Sequence, residues 1–265
     1  MTFWMTEFNV WCTACEWGGT NTYTWDECRD TASYLLAHLT NGASAGIVWE
    51  GYDSYYRILN NWSCWGLFAA NGQFAVPRIY TPRKNFYTVA QISKFVRPGA
   101  RRIGVSGSPG TLQLVAFYHP DTGQLTLTGV NSAASPVSLS VTLASLPAVS
   151  MLDFYYTDMA TNLAYGATCR VTNSAFAVAI PAKSVFTLVG QDPAKIAPML
   201  AIAAGTNNFT ISWSAALTDY VLEGGTNLAV SGAWAALTNV PQLAGGRLKV
   251  TVAPAGQQQY FRLHR

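Results

Sequence analysis

Glu7 is the first residue of this chain whose chemistry needs a reason. It stands in Phe3-Trp4-Met5-Thr6-Glu7-Phe8-Asn9-Val10, an apolar and aromatic run that reads as a buried parallel strand. Taking a carboxylate out of water costs several kcal/mol unless it is partnered or put to use. Two readings follow. Either Glu7 sits at the C-terminal end of a barrel strand, where barrel enzymes place their reactive groups, or it leaves the strand and pairs with an arginine. If the strand belongs to a barrel, pleat alternation predicts Phe3, Met5 and Glu7 on one face, with Trp4 and Thr6 on the other.

A second group of residues suits sugar rings. Ala45 to Trp49 is a short apolar strand followed by Glu50, Gly51, Tyr52, Asp53, Ser54 and Tyr55. An aromatic at a strand's end offers a flat apolar face to a pyranose, while neighbouring hydroxyls and carboxylates reach its OH groups. Trp49, Tyr52, Tyr55 and, beyond the first strand, Trp11 are the candidates; a core role for Trp49 is the competing reading. Glu50 resembles the second carboxylate that a retaining glycosidase holds about 5–5.5 Å from its nucleophile. Alternation turns it toward the helices, however, if Trp49 faces inward.

Cys12-x-x-Cys15 is one pair without a second pair, and neither His38 nor His119 lies at zinc-finger spacing. A loop disulfide or free thiols are expected, with no metal and no cofactor. Neither His38 nor His119 has an evident nucleophile beside it, which leaves little support for a histidine-based triad. The five cysteines are an odd number and give no disulfide framework.

Composition narrows the function classes. Of 265 residues, 50% are hydrophobic and 11% charged, a globular rather than a disordered composition. A net charge of +3 is too small for a dedicated nucleic-acid binder, although Arg78, Arg83, Lys84, Lys94, Arg97, Arg101 and Arg102 run without an intervening acid. No apolar run approaches the roughly 20 residues that cross a bilayer. The first residues do not resemble a signal peptide.

The elements that would position these residues change character along the chain. Thr24 to Asn41 carries Cys28, Ala32, Leu35, Leu36 and Leu39 at helical spacing behind a capping box, Thr24-Trp25-Asp26-Glu27. Thr88 to Val96 predicts a second amphipathic helix before Pro98-Gly99. Beyond Arg102 the period becomes two. Leu112, Leu114 and Ala116, the returning Leu125 and Leu127, then Val137 to Leu143, Phe176 to Ile180 and Val185 to Val189 read as strands of a β-sandwich. A hydrophilic joint leads to short strands at Phe209–Trp213, Tyr220–Leu222, Arg247–Val252 and Gln259–Leu263. The expected organisation is α/β at 1–100, an antiparallel β-sandwich at 101–190, a linker at 191–198 and a small all-β C-terminal module at 199–265.

Phe3-Trp4-Met5-Thr6-Glu7 resembles the strand-seven motif of glycoside hydrolase family 30, whose glutamate is the catalytic nucleophile. Ala45 to Trp49 is similar to strand eight. Tyr87 to Gly99, YTVAQISKFVRPG, resembles the closing barrel helix and the start of the companion sandwich, and Pro181-Ala182-Lys183-Ser184-Val185 its last turn and strand. The resemblance covers about residues 1 to 190. It implies a retaining β-glycoside hydrolase with a carbohydrate substrate, Glu7 as nucleophile, and an extracellular or cell-surface parent protein. A (β/α)8 barrel takes about 250 residues, and what precedes the sandwich suffices for roughly the last two units of eight. No position matches the family's proton-donating glutamate. The expectation is therefore a C-terminal part of a larger enzyme, inactive or nearly so by itself. The rival is a non-catalytic carbohydrate-binding or surface-attachment protein whose β regions do the work.

Overall fold

Strand β1 (Phe3–Phe8), helix α1 (Trp25–Thr40) and strand β2 (Ala43–Val48) form a β-α-β unit whose two strands pair in parallel. The computed structural model describes residues 3–12, 15, 23–56, 61–72, 75–256 and 258–265. Helix α1 starts at the expected capping box. The Glu27 N–H donates to Thr24 Oγ1 at 3.3 Å and the Thr24 N–H donates to the Glu27 carboxylate at 2.6 Å, which satisfies two of the helix's orphan donors. Cys28, Ala32, Leu35 and Leu36 are buried along one face at the i, i+4, i+7, i+8 repeat of an amphipathic helix. That face lies close on β2: a Cβ added to Gly46 would sit 2.6 Å from Leu35 Cδ1, so a larger residue here would have to push the Leu35 side chain aside.

Between β2 and the next helix the chain makes two short antiparallel ladders, β3 (Tyr55–Tyr56) with β4 (Asn61–Trp62) and β5 (Phe68–Ala70) with β6 (Tyr80–Pro82). Helix α2 (Lys84–Ser93) follows. It begins at Lys84, ahead of the expected Thr88, because Arg83 is extended and serves as the N-cap directly after Pro82. Its last turn tightens where Phe95 and Val96 both donate to the Ile92 carbonyl.

The sandwich contains β7 (Arg101–Ile103), β8 (Leu112–His119), β9 (Gln124–Asn131), β10 (Val137–Thr142), β11 (Met151–Thr157), β12 (Ala164–Arg170), β13 (Ala175–Ile180) and β14 (Ser184–Gln191). Six of them form one antiparallel sheet in the order β12-β11-β14-β9-β8-β7, and β10 pairs with β13 across from it. Leu112, Ala116, Leu125, Leu127, Leu139, Phe176 and Ile180 meet in the core between the sheets. The opposite face of the six-stranded sheet is apolar as well. Val115, Phe117, Val130 and Val185 pack with Phe8, Leu35, Leu36 and Ile92, so the sandwich and the helices share a second core.

The last region holds β15 (Ala201–Ala204), β16 (Phe209–Ser214), β17 (Val221–Gly225), β18 (Ala235–Ala236), β19 (Gln242–Ala244), β20 (Arg247–Val252) and β21 (Tyr260–His264). They form two small antiparallel sheets, β15-β16-β20-β19 and β18-β17-β21, around Ile211, Trp213, Leu217, Leu222 and Val250. The joint leading to it is tied down. The Asp192 N–H donates to the Gly123 carbonyl at 2.9 Å and Gln191 Nε2 to the Thr122 carbonyl at 2.7 Å. Among the described residues no helix is long and apolar enough to cross a membrane.

Candidate active site

The C-terminal ends of β1 and β2 lie side by side: the Trp49 N–H donates to the Phe8 carbonyl at 2.8 Å. Between the pairs Met5↔Gly46 and Phe8↔Val48 the register slips, so three steps along β1 match two along β2 and one extra residue is accommodated. This corrects the expected division of faces. Met5 and Phe8, three residues apart, both pack into the core against α1, whereas Phe3 and Trp4 are exposed, Trp4 with 63% of its surface open. Met5 therefore faces the helices rather than an inner layer. Glu7, adjacent to the inward Phe8, is exposed and shares with Trp4 the face directed away from α1. No described residue bonds or ion-pairs with its carboxylate.

Trp49 is half-buried at the end of β2, and the peptide joining it to Glu50 is cis. Glu50 turns away and is buried, accepting hydrogen bonds from Ser54 Oγ at 3.0 Å and from the Ser63 hydroxyl. Asp53, 1% exposed, accepts from both terminal nitrogens of the Arg83 guanidinium and from the Gly66 and Ala70 amides. Both carboxylates are thereby committed to holding the segment after β2. Tyr55 is half-buried, Tyr52 is 51% exposed and Trp11, beyond β1, is 68% exposed. Of the residues singled out from the sequence, Glu7 and Trp49 are brought to adjacent strand ends, with Tyr52 on the segment that follows directly. Trp4 and Tyr80 were not singled out. Both are exposed, and the Tyr80 ring meets that of Tyr52 edge-on, with centroids 5.3 Å apart. A one-residue slip in register hid the first, and a contact across 28 positions of sequence hid the second.

His38 and His119 both have structural partners. The Phe8 ring packs edge-on against His38 at 4.8 Å, and His119 Nε2 bonds the Pro98 carbonyl at 2.9 Å. Cys12 and Cys15 form a disulfide, the first of the two expected states, and lie buried with Val10, Tyr23 and Cys28. Burial pushes the Cys28 thiol up to about 12, and it raises the Tyr23 phenol as well. Among the described residues no group of three or more His, Cys, Asp or Glu side chains is arranged to hold a metal ion.

Residues 99–188 match the glycosyl hydrolase family 30 beta sandwich domain. Over 165 residues the chain is 27% identical to the glucuronoxylanase XynC of Bacillus subtilis (strain 168), a match that covers 62% of this chain and 35% of that enzyme. The catalytic domain of GH30 xylanase C from Talaromyces cellulolyticus superposes with a TM-score of 0.55 at 24% identity, covering 71% of this chain and 40% of that one. A GH30 endoxylanase from Clostridium papyrosolvens C71 does so with a TM-score of 0.53 at 24% identity, covering 71% and 41%. The chain spans about a third of the length of the curated relatives it matches. The sandwich match and the xylanase relatives support reading the chain as a C-terminal portion of a glycoside hydrolase family 30 protein.

Proposed function

We propose that this chain supplies the nucleophile half of a retaining β-glycoside hydrolase acting on a β-linked glycan, with xylan the first candidate because the relatives are named as xylanases. The observation that carries the reading is the Glu7 carboxylate, held by no described side chain, at the end of a parallel strand whose neighbour ends in Trp49. In the reaction a Glu7 oxygen bonds to the anomeric carbon as the glycosidic C–O bond breaks. The departing oxygen takes a proton from a general acid, and water, deprotonated by the same group, then releases the sugar from Glu7. Trp49, Tyr52, Tyr55 and Trp11 receive the rings of the glycan. No cofactor or metal takes part.

The acid is not one of the carboxylates on the segment after β2. Glu50 is buried beneath two serine hydroxyls and Asp53 is ion-paired with Arg83, so neither is placed to approach a sugar. In this reading β1 and β2 are the last two strands of a (β/α)8 barrel. Residues outside this chain provide the remaining strands and the acid, and the sandwich braces the barrel through the core shared with α1 and α2. The parent protein acts outside the cell, where its polymeric substrate is found.

By itself the chain is then expected to turn over neither xylan nor aryl β-xylosides, since it lacks proton transfer and most of the positioning surface. Assays of the purified chain test this. Turnover that disappears in Glu7→Gln would overturn the inactivity while keeping the nucleophile; turnover that persists in that variant would remove both.

A further inference from the structure

The segment between β2 and α2 does more than connect them. It presents Tyr52 and Tyr80 with 51% and 45% of their surfaces open, and no described residue bonds either phenol hydroxyl. Exposed aromatic rings forgo the burial that ordinarily stabilises them, so a pair held in one fixed arrangement at the surface calls for an explanation. The arrangement is fixed from beneath. Tyr52 bridges to Phe68, and Tyr80 pairs with Ala70 on the same short ladder. Asp53, adjacent to Tyr52, accepts from the Gly66 and Ala70 amides at 3.1 and 3.2 Å and from Arg83 Nη2 at 2.7 Å. Arg83 in turn donates to the Gly66 carbonyl at 3.0 Å. Gly66 lies against this backbone so closely that a Cβ there would sit 2.5 Å from the Tyr52 carbonyl carbon.

We infer that Tyr52 and Tyr80 form a single rigid platform for one pyranose ring of the glycan, distal to the ring bound beside Trp49 and held in place by the Asp53–Arg83 pair. The inference rests on the carbohydrate reading above and adds Tyr80 to the binding residues. Two rings meeting edge to face, with centroids 5.3 Å apart and planes inclined at 61°, give an angled apolar corner. Its hydroxyls stand ready to bond sugar OH groups, and little side-chain freedom is lost on binding because each ring turns on only two torsions. Asp53 and Arg83 are positioning residues: they touch the backbone beneath the rings, not the sugar.

Titration of the full chain with xylohexaose, followed by calorimetry, tests the inference when Tyr80→Ala, Tyr52→Ala, Tyr80→Trp and Trp49→Ala are compared with the parent and each variant's melting temperature is recorded. The platform requires Tyr80→Ala and Tyr52→Ala to weaken binding roughly five- to ten-fold, the loss of one aromatic contact, at unchanged melting temperature. It also requires Tyr80→Trp to restore affinity. Parent-like affinity in both alanine variants while Trp49→Ala loses binding would overturn the platform and leave the carbohydrate reading standing. Absence of binding by the parent to both xylohexaose and cellohexaose would overturn the two together.

Discussion

At position 7 a carboxylate stands in a strand of bulky apolar neighbours, and its energetic consequence depends on which way it faces. The register slip that turns Met5 and Phe8 toward α1 leaves Glu7 on the open face, so the acid bears no burial cost here and stabilises nothing nearby. Glu7→Gln is accordingly expected to change unfolding free energy by less than about 0.5 kcal/mol, measured by denaturant titration. A larger loss would reveal a structural role. Cys28 and Tyr23 behave in the opposite way. Burial raises the Cys28 thiol from 9.0 to about 12 and lifts the Tyr23 phenol above its ordinary 10.0. In the unfolded chain the thiol ionises near pH 9 while the folded one stays protonated. The stability it contributes is therefore complete below pH 9 and is lost as pH rises toward 12, with Tyr23 adding to the loss above pH 10. Melting temperatures from pH 8 to 11 should fall with a steepening slope, and Cys28→Ala should flatten it. Glu7 and Trp49 were legible as residues because their types and strand positions are local facts. The face Glu7 occupies was not, since a single extra residue in β1 is decided by pairing with β2.

Among the elements, those with a strong local period were legible and those without one were not. Helix α1 could be read from its capping box and apolar stripe, and β8, β9, β10, β13 and β14 from their alternation. Strands β11 and β12 escaped. In β11 both faces carry buried residues, with a register irregularity between Phe154 and Tyr155, and β12 is a mostly open edge strand containing Gly166. Neither shows a clean period of two. The segment after β2 carries no sequence repeat, because its order comes from a long-range ion pair. Removing one partner of a pair this buried strands the other charge, so Asp53→Ala should cost about 3–5 kcal/mol. It should also expose the Tyr52 segment to proteolysis, which thermal melts and limited digestion would detect. A cost below about 1 kcal/mol would mean that the pair does not hold the segment.

For the molecule as a whole, the main architectural fact is a sheet buried on both faces. One face of the six-stranded sheet closes the sandwich core, and the other, through Val115, Phe117, Val130 and Val185, joins the β-α-β unit to it. The alternation of β8 marks Leu112, Leu114 and Ala116 as one apolar stripe, whereas the burial of Val115 and Phe117 on the opposite face, against the helices, is decided by tertiary packing. This shared core is what lets a short α/β region hold its strands parallel beside an open face. The central claim, that Glu7 is the nucleophile of a retaining enzyme whose other strands lie outside this chain, is tested most directly by joining the preceding strand–helix units of a xylanase relative upstream of Phe3. The first-formed anomer released from xylo-oligosaccharides is then followed by NMR. A folded hybrid should release the β anomer first and lose turnover in Glu7→Gln. An α first product, or undiminished turnover in that variant, would contradict the account.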